Sequence, residues 1–229
     1  MGLNDIGPRL LHLGCGLKCP EEWINVDGSR NAWLAQHPVI KRLVTAFHLA
    51  PRSQTDIPWP TNVVVSDLRK TLPFASGSFD AVFSSHLVEH LHRDEARALL
   101  KEAHRVLKPG GICRTLVPDL MHQVRQYLDA SAAPRNETKD PARELVDIMH
   151  LRSDQAPRRN SLYRFFVAST DFHIHKWMYD APSLARLMTE AGFVDCVPRK
   201  YLESTIPFLD KVEKADRADG GAIVEGIKR

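Results

Sequence analysis

The chain has 229 residues, of which 43% are hydrophobic and 26% charged, and its formal net charge is +3. That is the make-up of one soluble globular domain, since α/β domains of about 200–250 residues are ordinary. So small a charge does not imply a nucleic-acid partner, whose binders usually show a basic stripe, and no apolar run approaches the ~18–20 residues a membrane helix needs.

The N-terminal stretch MGLNDIGPRL has neither the basic start nor the apolar core of a secretory signal. Cys15 and Cys19 have metal-like spacing, but no second Cys/His pair completes a zinc site. The four cysteines therefore read as thiols of a reducing compartment, and the protein as cytoplasmic.

Taken in chain order, Leu10, Leu11 and Leu13 lead into Gly14-Cys15-Gly16, a short buried strand followed by a permissive turn. Trp23, Ile24 and Val26 make a second strand ending at Asp27, only eleven residues after Gly16. A parallel crossover usually needs a dozen or more residues, so this first connection is shortened to a turn. The stretch 30–60 is correspondingly long. Trp33, Leu34, Val39, Ile40, Leu43, Val44 and Phe47 recur there at helical spacing, and these helices are expected to cover the sheet where a first crossover helix would lie.

Val63–Val65 and Ala81–Phe83 are the third and fourth strands. Over 93–107 the residues Ala96, Leu99, Leu100, Ala103, Val106 and Leu107 form one apolar stripe, and Pro109-Gly110 is expected to stop that helix. Strand five spans 111–117, and a helix follows over 119–130. The irregular segment 131–179 reads as a lid-like substrate insertion, because structureless stretches of that length are uncommon inside a domain. A helix over 180–191 and two closing antiparallel strands, 193–202 and 222–228, complete the chain.

The polar residues fall at strand ends, where open α/β sheets bind ligands. Gly14 and Gly16 let backbone approach a ligand, but Cys19 stands where a dinucleotide fingerprint wants a third Gly or Ala, and Asp27 comes too early for its carboxylate. An ionised Asp27 could accept two hydrogen bonds from a ribose diol, or simply shape a turn before Gly28. His86 could take a proton from an acceptor hydroxyl, or orient a ligand without proton transfer. His86-Leu-Val-Glu89-His90 also fits the H-x-x-E-H string of a zinc hydrolase, which requires both histidines on one helix face. Farther on, His173 and His175 alternate in a stretch that includes Trp177 and Tyr179; Arg152, Arg158, Arg159 and Arg164 could pair with an anionic substrate or form a solvated basic loop.

Read together, RLLHLGCG (9–16), WINVDG (23–28), NVVVSDL (62–68), SFDAVFSSHLVEH (78–90) and RVLKPGG (105–111) resemble the class I S-adenosylmethionine-dependent methyltransferases. Looser similarity in the His-Lys-Trp-Met-Tyr-Asp stretch points towards bacterial members associated with polysaccharide and glycan biosynthesis. The resemblance implies one Rossmann-like α/β domain over 1–229, with a mostly parallel seven-stranded sheet, helices on both faces and helical insertions after strands two and five. It implies S-adenosylmethionine as cofactor, held by Leu13, Gly14, Cys15, Gly16, Asp27 and Gly28, with Asp67 and Leu68 at the adenine and Ser85 near the methyl group. His86 and His175 are then the candidate bases, and Arg164, His173, Trp177 and Tyr179 the candidate substrate contacts. The expected reaction is methyl transfer, at oxygen for preference, to a small-molecule or saccharide acceptor, without metal, nucleic-acid partner or membrane insertion. Two alternatives stay open: the zinc hydrolase on His86, Glu89 and His90, and a binding module without turnover.

Overall fold

Seven extended runs form a single sheet: β1 (Leu10–Leu13), β2 (Ile24–Asp27), β3 (Val63–Val65), β4 (Phe79–Ser85), β5 (Leu107–Pro118), β6 (Val194–Pro198) and β7 (Gly221–Ile227). Their order is β3-β2-β1-β4-β5-β7-β6, and β7 alone runs antiparallel to both of its neighbours. The structure, a computed structural model, describes residues 7–47, 57–132, 140–150 and 174–229. Strand order reverses between β1 and β4, so the carboxyl ends of those two strands diverge around a topological switch point, the usual place for a ligand crevice.

Alternation along β1 separates two cores. Leu11 and Leu13 face a layer that includes Val26, Val82, Leu99, Leu100, Leu184 and Leu187. Leu10 faces Trp23, Ala81, Phe83, Ile206, Leu209 and Val212 on the other side. The first layer is supplied by α3 (Arg93–Val106) and α6 (Ala181–Glu190), whose stripes are buried as their periodicity predicts. Asp180 caps α6 by accepting from Ser183 N at 2.8 Å.

Three details differ from the sequence reading. α3 stops at Val106, before Pro109-Gly110, because Leu107 already pairs with Phe79. The register then jumps from Leu107 to Ile112, and residues 108–111 make the excursion that Gly110 permits at φ +80°. In the second segment, α1 (Arg30–Ala35) buries Ala32 against Cys15 and Val63, but α2 (Pro38–Ala46) buries no residue. Val39, Leu43 and Phe47 are 72%, 52% and 70% exposed, so α2 does not cover the sheet as expected.

Among the described residues, the face left bare by the short first crossover is covered from the opposite end of the chain. The connection between β6 and β7 lays Ile206, Leu209 and Val212 there, and Phe208 O accepts from Trp23 Nε1 at 3.0 Å. Arg114, fully buried on β5, ties that connection down. Its Nε and Nη2 donate to Glu213 at 2.8 and 3.0 Å, and its Nη1 donates to Glu225 at 2.8 Å. The carbonyls of Lys200 and Glu203 accept its remaining hydrogens at 2.8 and 3.1 Å.

Beyond β5, α4 (Leu120–Ala132) and α5 (Pro141–Ile148) bury no residue, and most of the expected lid segment lies outside the described residues. No helix among the described residues is long and apolar enough to cross a membrane.

Candidate active site

Two cavities open at the carboxyl ends of β1, β2 and β4. The first, of about 540 Å³, is lined by Gly14, Gly16, Asp27, Gly28, Asp67, Leu68 and His86, all expected from the sequence. Ser29, Asn31, Ile57, Trp59, Arg69 and Leu87 also contribute, along with Arg217 from the far end of the chain. The volume is in the range of pockets that take cofactors, about 300–1,000 Å³.

The glycine turn is built around Asp27. Gly14 and Gly16 adopt φ +66° and +54°, a region costly to residues with a Cβ. A Cβ on Gly16 would meet no protein atom within 4 Å, so a side chain there would take space on the cavity side of the turn. Asp27 Oδ2 accepts from Gly16 N at 2.9 Å, and its Oδ1 accepts from Ser29 N at 2.7 Å. Burial raises the Asp27 carboxyl above its ordinary range, and those two backbone donors oppose the rise. Each oxygen retains acceptor capacity for a ligand hydroxyl.

Asp67 is engaged differently from the expectation. Arg69 grips both of its oxygens, Nε to Oδ1 at 2.8 Å and Nη2 to Oδ2 at 3.0 Å, which holds the Asp67 carboxyl below the usual carboxylate range. A donor reaching Asp67 has to share it with that guanidinium. Trp59, in the wall of the same cavity, has a buried indole N–H without a hydrogen-bond partner among the described residues.

The second cavity, of about 460 Å³, is lined by His86, His90, Gln123, His150, His175, Asp216, Arg217 and Asp219, with Pro118, Ile148 and Gly220. His86, His90 and Arg217 belong to both linings. His86 follows β4 at φ +52°, a left-handed conformation uncommon outside glycine and frequent where a side chain must be re-aimed. Its Nδ1 lies 3.5 Å from Glu89 Oε1, and its Nε2 lies 3.4 Å from the Arg217 carbonyl. Burial, followed by the charge of Arg217, pushes the His86 pKa down to about 4, so the ring is a neutral base near neutral pH. Burial and the neighbouring histidines bring His175 to about 4 as well. Glu89 is completely buried, and burial pushes its carboxyl up to about 8.

Several expected contacts do not reach either cavity in this structure. The Leu13, Cys15 and Ser85 side chains are buried beneath the turn. Tyr179 is packed in the main core, where burial raises its phenol to about 12, and Trp177 is 45% exposed with Arg93 over its ring at 5.7 Å. Arg152, Arg158, Arg159, Arg164 and His173 lie outside the described residues. The hydrolase geometry fails: His86 sits at a strand end and Val88–His90 is a single 3-10 turn, so the two histidines share no helix face. Of the residues the sequence reading missed, Arg69 had a local signal, two residues beyond Asp67. Trp59 and Arg217 had none, since only chain crossing brings them in.

Residues 11–115 match the family model described as "Methyltransferase domain". The ubiquinone/menaquinone biosynthesis C-methyltransferase of Desulfotalea psychrophila is 32% identical over 148 residues, which is 62% of this chain and 50% of that protein. The malonyl-(acyl-carrier protein) O-methyltransferase of Hahella chejuensis is 33% identical over 133 residues, 54% of this chain and 46% of that protein. A crystal structure of a SAM-dependent methyltransferase from Thermotoga maritima aligns with a TM-score of 0.48 at 17% identity, covering 97% of this chain and 83% of that one.

The matched stretch, a little under half of the chain, resembles a methyltransferase domain in sequence, and it holds β2, β3, β4 and the glycine rim together with Asp27, Asp67 and His86. The chain spans about half the length of the curated relatives it matches, and one of those acts at carbon while the other acts at oxygen.

Proposed function

We propose that this chain transfers the methyl group of S-adenosylmethionine to a hydroxyl of a small-molecule or saccharide acceptor seated in the second cavity. One observation carries the reading: the two cavities meet at His86, His90 and Arg217, so ligands in them share one wall. The polar lining of the second cavity suits a hydroxyl-rich acceptor better than an apolar one.

In this reading Leu13, Gly14, Cys15 and Gly16 cradle the methionine and ribose end through backbone, and Asp27 with Gly28 receives the ribose hydroxyls. Asp67 and Leu68 flank the adenine, and Ser85 backs the strand end beside the methyl group. The acceptor oxygen attacks the methyl carbon in line, the carbon–sulfur bond breaks, and its electron pair stays on sulfur. The hydroxyl proton passes to His86, and His175 is the other imidazole within the acceptor cavity. Alignment of donor and acceptor supplies much of the rate, so no covalent enzyme intermediate is required.

Calorimetric titration with S-adenosylhomocysteine tests the cofactor half. Wild type should release saturable heat, and Asp27→Ala should abolish it, with Asp27→Asn separating lost charge from lost turn structure. No heat from wild type would end the proposal. Methyl transfer from radiolabelled donor to nucleotide sugars, lipid-linked saccharides and phenols then tests the acceptor half, with RNA and DNA expected to stay unlabelled. Cofactor binding with no turnover on any acceptor would favour a binding module instead.

A further inference from the structure

Glu89, His90 and His175 each offer one ligand atom, these atoms lie within 4.8 Å of one another, and both histidines line the second cavity. We propose that the three side chains bind a divalent transition-metal ion of the zinc class, with open coordination positions facing the acceptor cavity.

Glu89 makes the first argument. Its side chain is fully buried, and among the described residues neither carboxylate oxygen has a hydrogen-bond partner, the His86 Nδ1 lying 3.5 Å from Oε1. Burying such a group is costly unless a proton or a cation compensates it. His90 makes the second. Its Nδ1 lies 3.3 Å from the Ile174 carbonyl, and its Nε2 faces Glu89 Oε1 at 4.0 Å. With the hydrogen on Nδ1, Nε2 presents a lone pair to the carboxylate. An imidazole anchored through one nitrogen to a backbone carbonyl, with the other nitrogen turned towards the ion, is the usual outer-shell arrangement of a metal-ligating histidine.

His175 comes from a distant segment and is fixed by backbone. Lys176 N and Trp177 N both donate to the Glu89 carbonyl, at 2.7 and 3.2 Å, and His175 N donates to the His150 carbonyl at 3.1 Å. Its ring stacks edge-on with His90 at 4.9 Å between centroids, and its buried Nδ1 lacks a hydrogen-bond partner among the described residues. Two imidazoles and one carboxylate suit zinc, cobalt or nickel, whereas magnesium and calcium favour all-oxygen sets. Metal–ligand bonds of ~2.0–2.2 Å place tetrahedral ligand atoms about 3.3 Å apart, so from separations of up to 4.8 Å the three groups must close by up to about 1.5 Å. His86 is not in this set, which separates the site from the H-x-x-E-H string.

The inference stands apart from the methyl-transfer reading, and its test reads metal alone. Chelator-stripped protein is titrated with cobalt(II) chloride and followed by visible absorption. Wild type should give a saturable one-to-one spectrum of the intensity seen for four- or five-coordinate cobalt, displaced by zinc. Glu89→Gln, His90→Gln and His175→Gln should weaken binding by at least the ~10–100-fold that loss of an outer-shell partner costs. His86→Gln should keep it. His175→Cys, which retains a ligand, should add a thiolate-to-cobalt charge-transfer band; that positive signal holds the proposal testable if a glutamine variant folds poorly. A wild-type spectrum of hydrated cobalt only, or a band that survives both Glu89→Gln and His175→Gln, would overturn it. S-adenosylhomocysteine calorimetry on the same samples reports the adenosyl site independently.

Discussion

His86 is constrained from several directions at once. It holds a left-handed backbone, its N–H donates to the Leu116 carbonyl at 2.9 Å, and its ring belongs to both cavity walls. If it receives the acceptor proton, His86→Gln should lower kcat by about 10²–10⁴-fold, the usual worth of a general base. Calorimetric affinity for S-adenosylhomocysteine should change little, because Asp27 and the glycine turn are untouched. An equal loss in affinity and kcat would make His86 a cofactor-orienting residue. Asp27 and Gly16 were legible in the sequence because their chemistry is local: a positive-φ turn and a carboxylate cap can be read from neighbouring residues. The pairing of Asp67 with Arg69 was two residues away and still missed, because side-chain direction is not written in spacing.

Among elements, α3 and β5 show opposite degrees of legibility. The stripe Ala96, Leu99, Leu100, Ala103 and Val106 is buried as its period predicts, since one helix face against one sheet face leaves a 3.6-residue signature. The similar stripe on α2 misled, because periodicity describes a face and not what covers it. On β5, Arg114 stands in an apolar strand with nothing nearby to explain it; its partners Glu213 and Glu225 lie 99 and 111 residues away. Neutralising Glu213 leaves Arg114 paired with Glu225 and two backbone carbonyls but weakens its charge-assisted hydrogen bonds. Glu213→Gln should therefore destabilise the fold by about 1.5–3 kcal/mol. Arg114→Met combined with Glu213→Leu should cost less than the two single changes added together. Urea denaturation midpoints compare the variants, and additivity within error would show that the pair is not coupled.

Across the whole molecule, the sheet has a buried titratable group on the face opposite α3. His12 on β1 packs against Trp23 and Phe83, and burial lowers its pKa to about 4 from an ordinary 6.5. Above pH 6.5 the ring is neutral whether folded or unfolded, so its contribution is complete. As pH falls from 6.5 towards 4, the unfolded chain takes the proton first and stability is lost, by up to about 3 kcal/mol from this one group. Thermal unfolding of His12→Phe should show a shallower loss over that window than wild type; an unchanged slope would place the acid sensitivity elsewhere. The sequence by itself determined the strand succession, the glycine turn and the carboxylates at strand ends, and with them the resemblance to methyltransferase domains, because each is encoded within a few neighbouring residues. Tertiary structure alone decided that the 199–214 connection replaces the missing crossover helix, that Arg217 lines both cavities, and that His175 meets Glu89 and His90. Those contacts join segments far apart in the chain, and no local pattern records which distant segment will supply a partner.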